Sequence, residues 1–215
     1  MTTHPESDGC CNISGDLLRG DLGEVPLELA AAGFAALWHG RAVAPSELLA
    51  VEADEARDLV ATLAQQGRAE VDEHGRLVGI HGLTLRTTRH WFLHNDRRRH
   101  TWCAFDVIGI PAALRLDAVA HTDCPACHAP LTVEITGGRP AESGVVLWLP
   151  APPAGNLMAE FCATADLYCS AEHLQQRVDT ERTPGQLSDL ASAVALGCDT
   201  WADVARIDLD EGAWL

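Results

Sequence analysis

The stretch ADEARDLVATLAQQGRAEVDEHGRLVGI, residues 53–80, decides how the first part of the chain is read. Ala56, Leu59, Val60 and Leu63 recur at the spacing of one helix face, which predicts a helix over 53–66 capped by Gly67. The period then shortens to that of a strand. Ala69–Val71 and Leu77–Ile80 flank the polar run Asp72–Gly75 and predict a hairpin. Upstream, Leu27, Leu29, Ala30, Phe34, Leu37 and Trp38 predict an earlier helix that begins near Pro26 and ends at Gly40. Pro45-Ser46 opens a short helix through Leu48 and Leu49. Three helices and a hairpin predict a winged-helix-like helical subdomain over 24–80, preceded by a mobile, Gly- and Asp-rich lead-in over 1–23.

Charge argues against a DNA-reading role for that subdomain. The chain carries 31 acidic and 15 basic residues, a formal charge of −16. Glu52, Asp54, Glu55 and Asp58 surround a single arginine, Arg57, on the helix that would enter a groove. Phosphates would be repelled, so a packing or lid element is expected, with neither nucleic acid nor an anionic membrane surface as partner. Every basic residue is arginine, which excludes Schiff-base chemistry, pyridoxal phosphate attachment and a P-loop lysine. The longest apolar stretches, 27–38 and 145–153, fall short of the ~18 to 20 residues that span a bilayer. The polar, acidic start MTTHPESDGCC is not a secretory signal, so a cytoplasmic setting is expected.

From His81 the pattern predicts an α+β domain over 81–215, an antiparallel β-sheet core flanked by helices. Strands are expected around Leu83, Leu85 and Thr87, at His90–Leu93, and over 118–121, 131–135 and 145–149. Asn95–Arg99 is read as a solvated connecting turn, and 102–114 as a buried helix broken near Pro111. A Pro-rich loop covers 150–155, and helices are expected over 171–176 and 187–196.

The chemistry begins at Trp102-Cys103-Ala104-Phe105-Asp106, where a thiol and a carboxylate three residues apart share one helix face and can share a proton. Taken alone, such a pair describes a buried cysteine and an Asp bonded to backbone N–H groups. Its company is more specific. Gly82-Leu83-Thr84-Leu85, Thr88-Arg89-His90, Phe92, the W-C-A-F-D stretch and Pro111, followed by Cys124-Pro125 and Phe161-Cys162, resemble the bacterial organomercurial (alkylmercury) lyases over roughly residues 24–200.

That resemblance implies protonolysis of a carbon–mercury bond by Cys103, Asp106 and Cys162. Hg(II) is a soft ion and thiolate sulfur a soft ligand, so two cysteines suit capture while an acid beside them suits proton delivery to carbon. The same three residues would hold the Hg(II) product. The implied substrate is an organomercurial, and no cofactor is implied beyond external small thiols that remove Hg(II), with a mercuric reductase as a possible acceptor. Two positions depart from the family pattern: His100 stands where an aromatic or apolar side chain is expected, and Ala163 where some relatives carry a second cysteine.

The remaining cysteines leave an alternative open. Cys124-Pro125-Ala126-Cys127-His128, near His121, has the C-x-x-C spacing of a zinc knuckle, but no second C-x-x-C completes it, and a turn between strands is favoured. In the resemblance Cys124 occupies a structural position and Cys127 is an addition. The rival function is a non-catalytic thiol metal-binding or sensing protein of the same fold, with Cys124, Cys127 and Cys162 or Cys169 holding zinc. Cys169 and Cys198 are otherwise read as core residues, and Cys10-Cys11 as tail residues without a role. His90 and His94 have i, i+4 spacing but fall in a predicted strand, and neither G-x-G-x-x-G nor G-x-S-x-G occurs.

Overall fold

Helix α3, Ala104–Ala113, is buried from Ala104 through Ala112, as its nearly unbroken apolar sequence requires. The computed structural model, which describes residues 27–48, 52–181, 184–209 and 213–214, packs the other elements around it. The expected lead-in over 1–23, including Cys10 and Cys11, lies outside the described residues. The break expected near Pro111 does not occur, because Pro111 sits in the last turn and enclosure on all sides holds the helix to Ala113.

The N-terminal elements follow the expected order: α1 (Leu27–Trp38), a single 3₁₀ turn (Pro45–Glu47) where a short helix was expected, and α2 (Ala53–Gln65). The hairpin β1 (Ala69–Val71) and β2 (Leu77–Ile80) follows. It continues directly into an eight-stranded antiparallel sheet with β3 (Leu83–Thr84), β4 (Trp91–His94), β5 (Arg97–Thr101), β6 (Ala118–Asp123), β7 (Pro130–Thr136) and β8 (Arg139–Pro140). The order across the sheet is β1-β2-β3-β5-β4-β6-β7-β8, so residues on both sides of position 80 share one hydrogen-bonded surface. Along β7, Leu131, Val133 and Ile135 point inward and Thr132, Glu134 and Thr136 outward, the period-two alternation of a sheet covered on one face.

A second antiparallel sheet, β10-β9-β11, comprises β9 (Val146–Pro150), β10 (Asp166–Tyr168) and β11 (Gly185–Ser188). A π-helical turn, Met158–Cys162, precedes β10, while α4 (Ala171–Glu181) follows it and α5 (Leu190–Thr200) follows β11. The chain closes with the short pair β12 (Ile207–Asp208) and β13 (Ala213–Trp214). The architecture is therefore mixed helix and antiparallel sheet, as expected.

Three local readings are corrected. The expected solvated turn Asn95–Arg99 narrows to Asn95 and Asp96, both at positive φ, and the arginines enter β5. They do so because aromatic rings receive them: the Arg99 guanidinium lies 3.6 Å from the Trp38 ring centroid and that of Arg98 3.9 Å from Trp91. The strand expected through Thr87 stops at Thr84, whose Oγ1 accepts the Arg86 N–H at 3.1 Å and turns the chain. The helix expected from Leu187 begins at Leu190 because Asp189 caps it, accepting the Ser192 N–H at 2.7 Å, while 185–188 pair with β9.

Helices α3 and α5 cross at two glycines. A Cβ at Gly197 would lie 2.5 Å from the Gly109 Cα, and one at Gly109 would lie 2.3 Å from the Trp201 ring. Gly197→Ala therefore forces the helices apart; overpacking of this kind costs about 1–3 kcal/mol. A Tm lowered by several degrees in a thermal melt is expected, and an unchanged Tm would refute the close crossing.

Candidate active site

Cys103 is the N-cap of α3, with the extended backbone (φ −146°, ψ 175°) that a cap residue adopts. Asp106 occupies the third helical position, and its Oδ2 accepts the Cys103 N–H at 3.0 Å. The predicted shared face is thus realised as a cap, with the acid folded back over the thiol-bearing residue. Cys162 ends the π-helical turn, whose frame is set by an Ala163 N–H to Met158 carbonyl bond of 2.9 Å. The ligand atoms of Cys103, Asp106 and Cys162 all lie within 4.8 Å of one another, and all three residues are buried.

Contacts distant in sequence hold this arrangement. The Ala104 N–H donates to the Ala165 carbonyl at 3.1 Å, tying the start of α3 to the segment just after Cys162. The Leu157 N–H donates to the Gln66 carbonyl at 2.9 Å, and Asn156 Nδ2 to the Gln65 carbonyl at 3.1 Å. The loop before Cys162 is therefore clasped by the end of α2. Gly67 permits that clasp: it has φ +65°, and a Cβ there would meet the Asn156 side chain. Trp102 Nε1 donates to Glu70 Oε2 at 2.7 Å, which anchors the approach to Cys103 on the β1–β2 hairpin.

Burial sets the electrostatics. It pushes the Asp106 carboxyl up to about 7, against the pull of hydrogen bonds from the Cys103 backbone and thiol and from the Trp102 N–H. Burial also pushes the Cys103 thiol well above its ordinary range, reinforced by Cys162 and by the Asp106 charge. For Cys162, the hydrogen bond with Cys103 pulls downward, but burial and Asp106 outweigh it and leave the thiol raised, with Arg68 opposing them. Both thiols are thus held protonated at rest, and Asp106 is poised to gain or lose a proton near neutrality.

Asp106 and Cys162 open onto a cleft that also receives Arg68. Ala30, Leu63 and Ile80 from the N-terminal elements line it, with Phe105, Phe161 and Trp201 from the rest of the chain. Its walls are largely apolar, while Cys103 has no exposed surface and does not line the cleft. Gly82, at φ +82°, passes so close that a Cβ there would lie 2.9 Å from Asp106 Cγ. Sequence reasoning gave no role to Gly82 beyond its place in the motif, nor any to Arg68, since both reach the site only through the fold.

The other candidates go elsewhere. Cys124, Cys127 and Cys169 gather with His173, apart from Cys162, which corrects the expectation that Cys162 could join them. The Cys169-Ser-Ala-Glu-His173 spacing was the signal for His173. Cys198, expected in the core, is exposed on α5. His90 is held neutral, its pKa lowered to about 3 by burial and by Arg89, and its Nδ1 lies 2.7 Å from Thr122 Oγ1. His94 Nδ1 lies 2.7 Å from the Asp117 carbonyl, so the two histidines have separate partners. His121 stacks on Trp91, with ring centroids 3.8 Å apart.

A family model described as alkylmercury lyase matches residues 83–202, which hold Cys103, Asp106 and Cys162. The chain belongs to the alkylmercury lyase family. It is 32% identical over 134 residues to an alkylmercury lyase of Pseudomonas putida, covering 60% of this chain and 61% of that protein. To the alkylmercury lyase of Streptomyces lividans it is 34% identical over 132 residues, 59% of this chain and 60% of that one. The matched segment thus spans about three-fifths of these relatives' length. The fold is shared more widely: the crystal structure of the mercury-bound form of MerB2 superposes with a TM-score of 0.77 at 21% identity, covering 88% of this chain and 96% of that one.

Two outcomes follow from the site geometry. The folded-state pKa of Asp106 is raised from 3.8 to about 7, so its protonated form contributes stability that is present below pH 4 and lost as pH rises through 7. Asp106→Asn, which does not titrate, should gain stability relative to the parent between pH 4.5 and 7.5, on the order of 3 kcal/mol at about 1.4 kcal/mol per pH unit. Urea melts at pH 4.5 and 7.5 measure it, and an unchanged difference would refute the raised pKa. Gly82→Ala adds both left-handed strain and a contact on the carboxylate. It should shift the midpoint of that pH dependence, and an unmoved midpoint would show that Gly82 does not confine Asp106.

Proposed function

We propose that the protein is an organomercurial lyase that converts R–Hg–X to R–H and Hg(II) with Cys103, Cys162 and Asp106. The observation that carries this reading is a titratable acid poised near neutrality within 4.8 Å of two buried thiols. The Cys162 thiol, which lines the cleft, takes mercury first: sulfur binds Hg, X⁻ departs, and the thiol proton goes to solvent. The Cys103 thiol then gives its proton to the Asp106 carboxylate as its sulfur adds to mercury. Two thiolates enrich the carbon–mercury bond in electrons. Protonated Asp106 transfers its proton to the carbon, the bonding pair becomes the new C–H bond, and R–H leaves with Hg(II) held by two sulfurs.

The apolar cleft accepts the organic group and excludes water, which keeps the acid's proton directed at carbon. The N-terminal helices, whose Ala30 and Leu63 line that cleft, serve as a winged-helix-like lid rather than a nucleic-acid reader. No helix among the described residues is long and apolar enough to cross a membrane. Small thiols of a cytoplasmic setting extract the Hg(II), for delivery to an acceptor such as a mercuric reductase. The reaction needs no cofactor in this scheme.

Incubation with an arylmercurial and excess thiol should release the free arene. Cys103→Ser and Cys162→Ser should each abolish release, since a hard, protonated alcohol does not replace thiolate on mercury. Asp106→Asn should still capture R–Hg, seen as an intact adduct by native mass spectrometry, while arene release falls at least about a hundredfold. Arene release at the parent rate by Asp106→Asn would overturn the proton-delivery role.

A further inference from the structure

We infer that Cys124, Cys127, Cys169 and His173 form a structural zinc site, separate from Cys103, Asp106 and Cys162. The four ligand atoms lie within 4.8 Å of one another. Cys127 Sγ and Cys169 Sγ are 3.8 Å apart, Cys124 Sγ and His173 Nδ1 3.8 Å, and Cys169 Sγ and His173 Nδ1 3.0 Å. A tetrahedral zinc, with Zn–S near 2.3 Å and Zn–N near 2.0 Å, requires ligand separations of about 3.5 to 3.8 Å, so little movement is needed. Three cysteines and one histidine make a closed, four-ligand set of the structural type, with no position left for substrate.

The backbone is shaped for the same task. Cys124–His128 forms the turn between β6 and β7, closed by a His128 N–H to Cys124 carbonyl bond of 2.8 Å. Within it the N–H groups of Ala126 and Cys127 point at Cys124 Sγ, the arrangement by which a metal knuckle stabilises its first thiolate. The Cys169 N–H adds a third donor from the other side of the site. Cys169 ends the segment carrying β10 and His173 lies in the first turn of α4, so the ion would staple the β6–β7 turn to the chain just after Cys162. Hg(II), satisfied by two sulfurs in a line, does not need four convergent ligands. Binding would expel the three thiol protons and leave a zinc-bound trithiolate–imidazole group.

The full chain, expressed with zinc in the medium and purified in reductant without chelator, should carry about one zinc per chain by elemental analysis. Cys127→Ser and His173→Ala should each lower retained zinc at least tenfold in the presence of a competing chelator, whereas Cys103→Ser and Cys162→Ser should keep it. The ligand-preserving His173→Cys should also keep it. Should Cys127→Ser fail to fold, Co(II) titration of the parent, with the absorption of tetrahedral Co(II)–thiolate, replaces that comparison. The inference is overturned if the reduced parent neither carries nor takes up zinc or tetrahedral Co(II), if Cys162→Ser loses the metal, or if Cys127 and Cys169 are recovered as a disulfide under reductant. Metal content is read without mercury, so this result stands or falls independently of arene release.

Discussion

The N-terminus of a helix buried over its first nine residues has to satisfy its own N–H groups, and here the group that does so is a carboxylate that burial resists ionising. Asp106 accepts the Cys103 N–H, and its position in the first turn of α3 adds the favourable field of the helix dipole. Desolvation opposes both and wins by enough to bring the acid near neutrality. A cap at the surface would be a permanently ionised anchor. Enclosed in the core, the same cap becomes a group that can pass a proton without leaving its place.

Keeping that balance depends on enclosure from several directions. Gly82 brings backbone against the carboxylate where any side chain would intrude, and the Trp102 N–H, bonded to the Gly82 carbonyl at 2.9 Å, fixes that strand against the helix start. The glycine crossing of α3 and α5 brings Trp201 over Phe105, with ring centroids 5.3 Å apart. The second thiol arrives by another route: Gln65, Gln66 and Gly67 clasp Asn156 and Leu157, and the π-helical turn carries Cys162 to Cys103. The N-terminal elements are therefore part of the site's construction, since removing the clasp would free the loop that presents Cys162.

What could be read from the sequence followed locality. α1, α2, the β1–β2 hairpin, β6, β7 and β9 have strong internal periodicity and appear where it placed them. Composition marks the arginines at 97–99 as solvated, as Arg97 and Arg98 are, but it does not show that Trp38 and Trp91, from elsewhere in the fold, supply ring faces that hold Arg99 and Arg98 in a strand rather than a turn. Pro111 was misread because local rules carry no information on enclosure. At the candidate site, the family resemblance singled out Cys103, Asp106 and Cys162, whose ligand atoms lie within 4.8 Å of one another. Gly82 and Arg68 became visible only in three dimensions, because a close backbone approach and a charge opposite a thiol leave no periodic trace. His173 had a trace, its spacing from Cys169, but that spacing acquires meaning only once β10 sets Cys169 beside Cys127.

The two thiol groups show how number and enclosure assign different chemistry to one kind of atom. At Cys103 and Cys162 there are two sulfurs, both buried, with an acid beside them that burial holds near neutrality. At Cys124, Cys127 and Cys169 there are three sulfurs and an imidazole, graded from buried to exposed, with backbone N–H groups aimed at the innermost thiol and no acid among them. A missing ligand at this second group would open a coordination position and invite exchange. The clasp between α2 and the 156–157 loop lies on the segment that carries Cys162 to Cys103 and Asp106, apart from the second group.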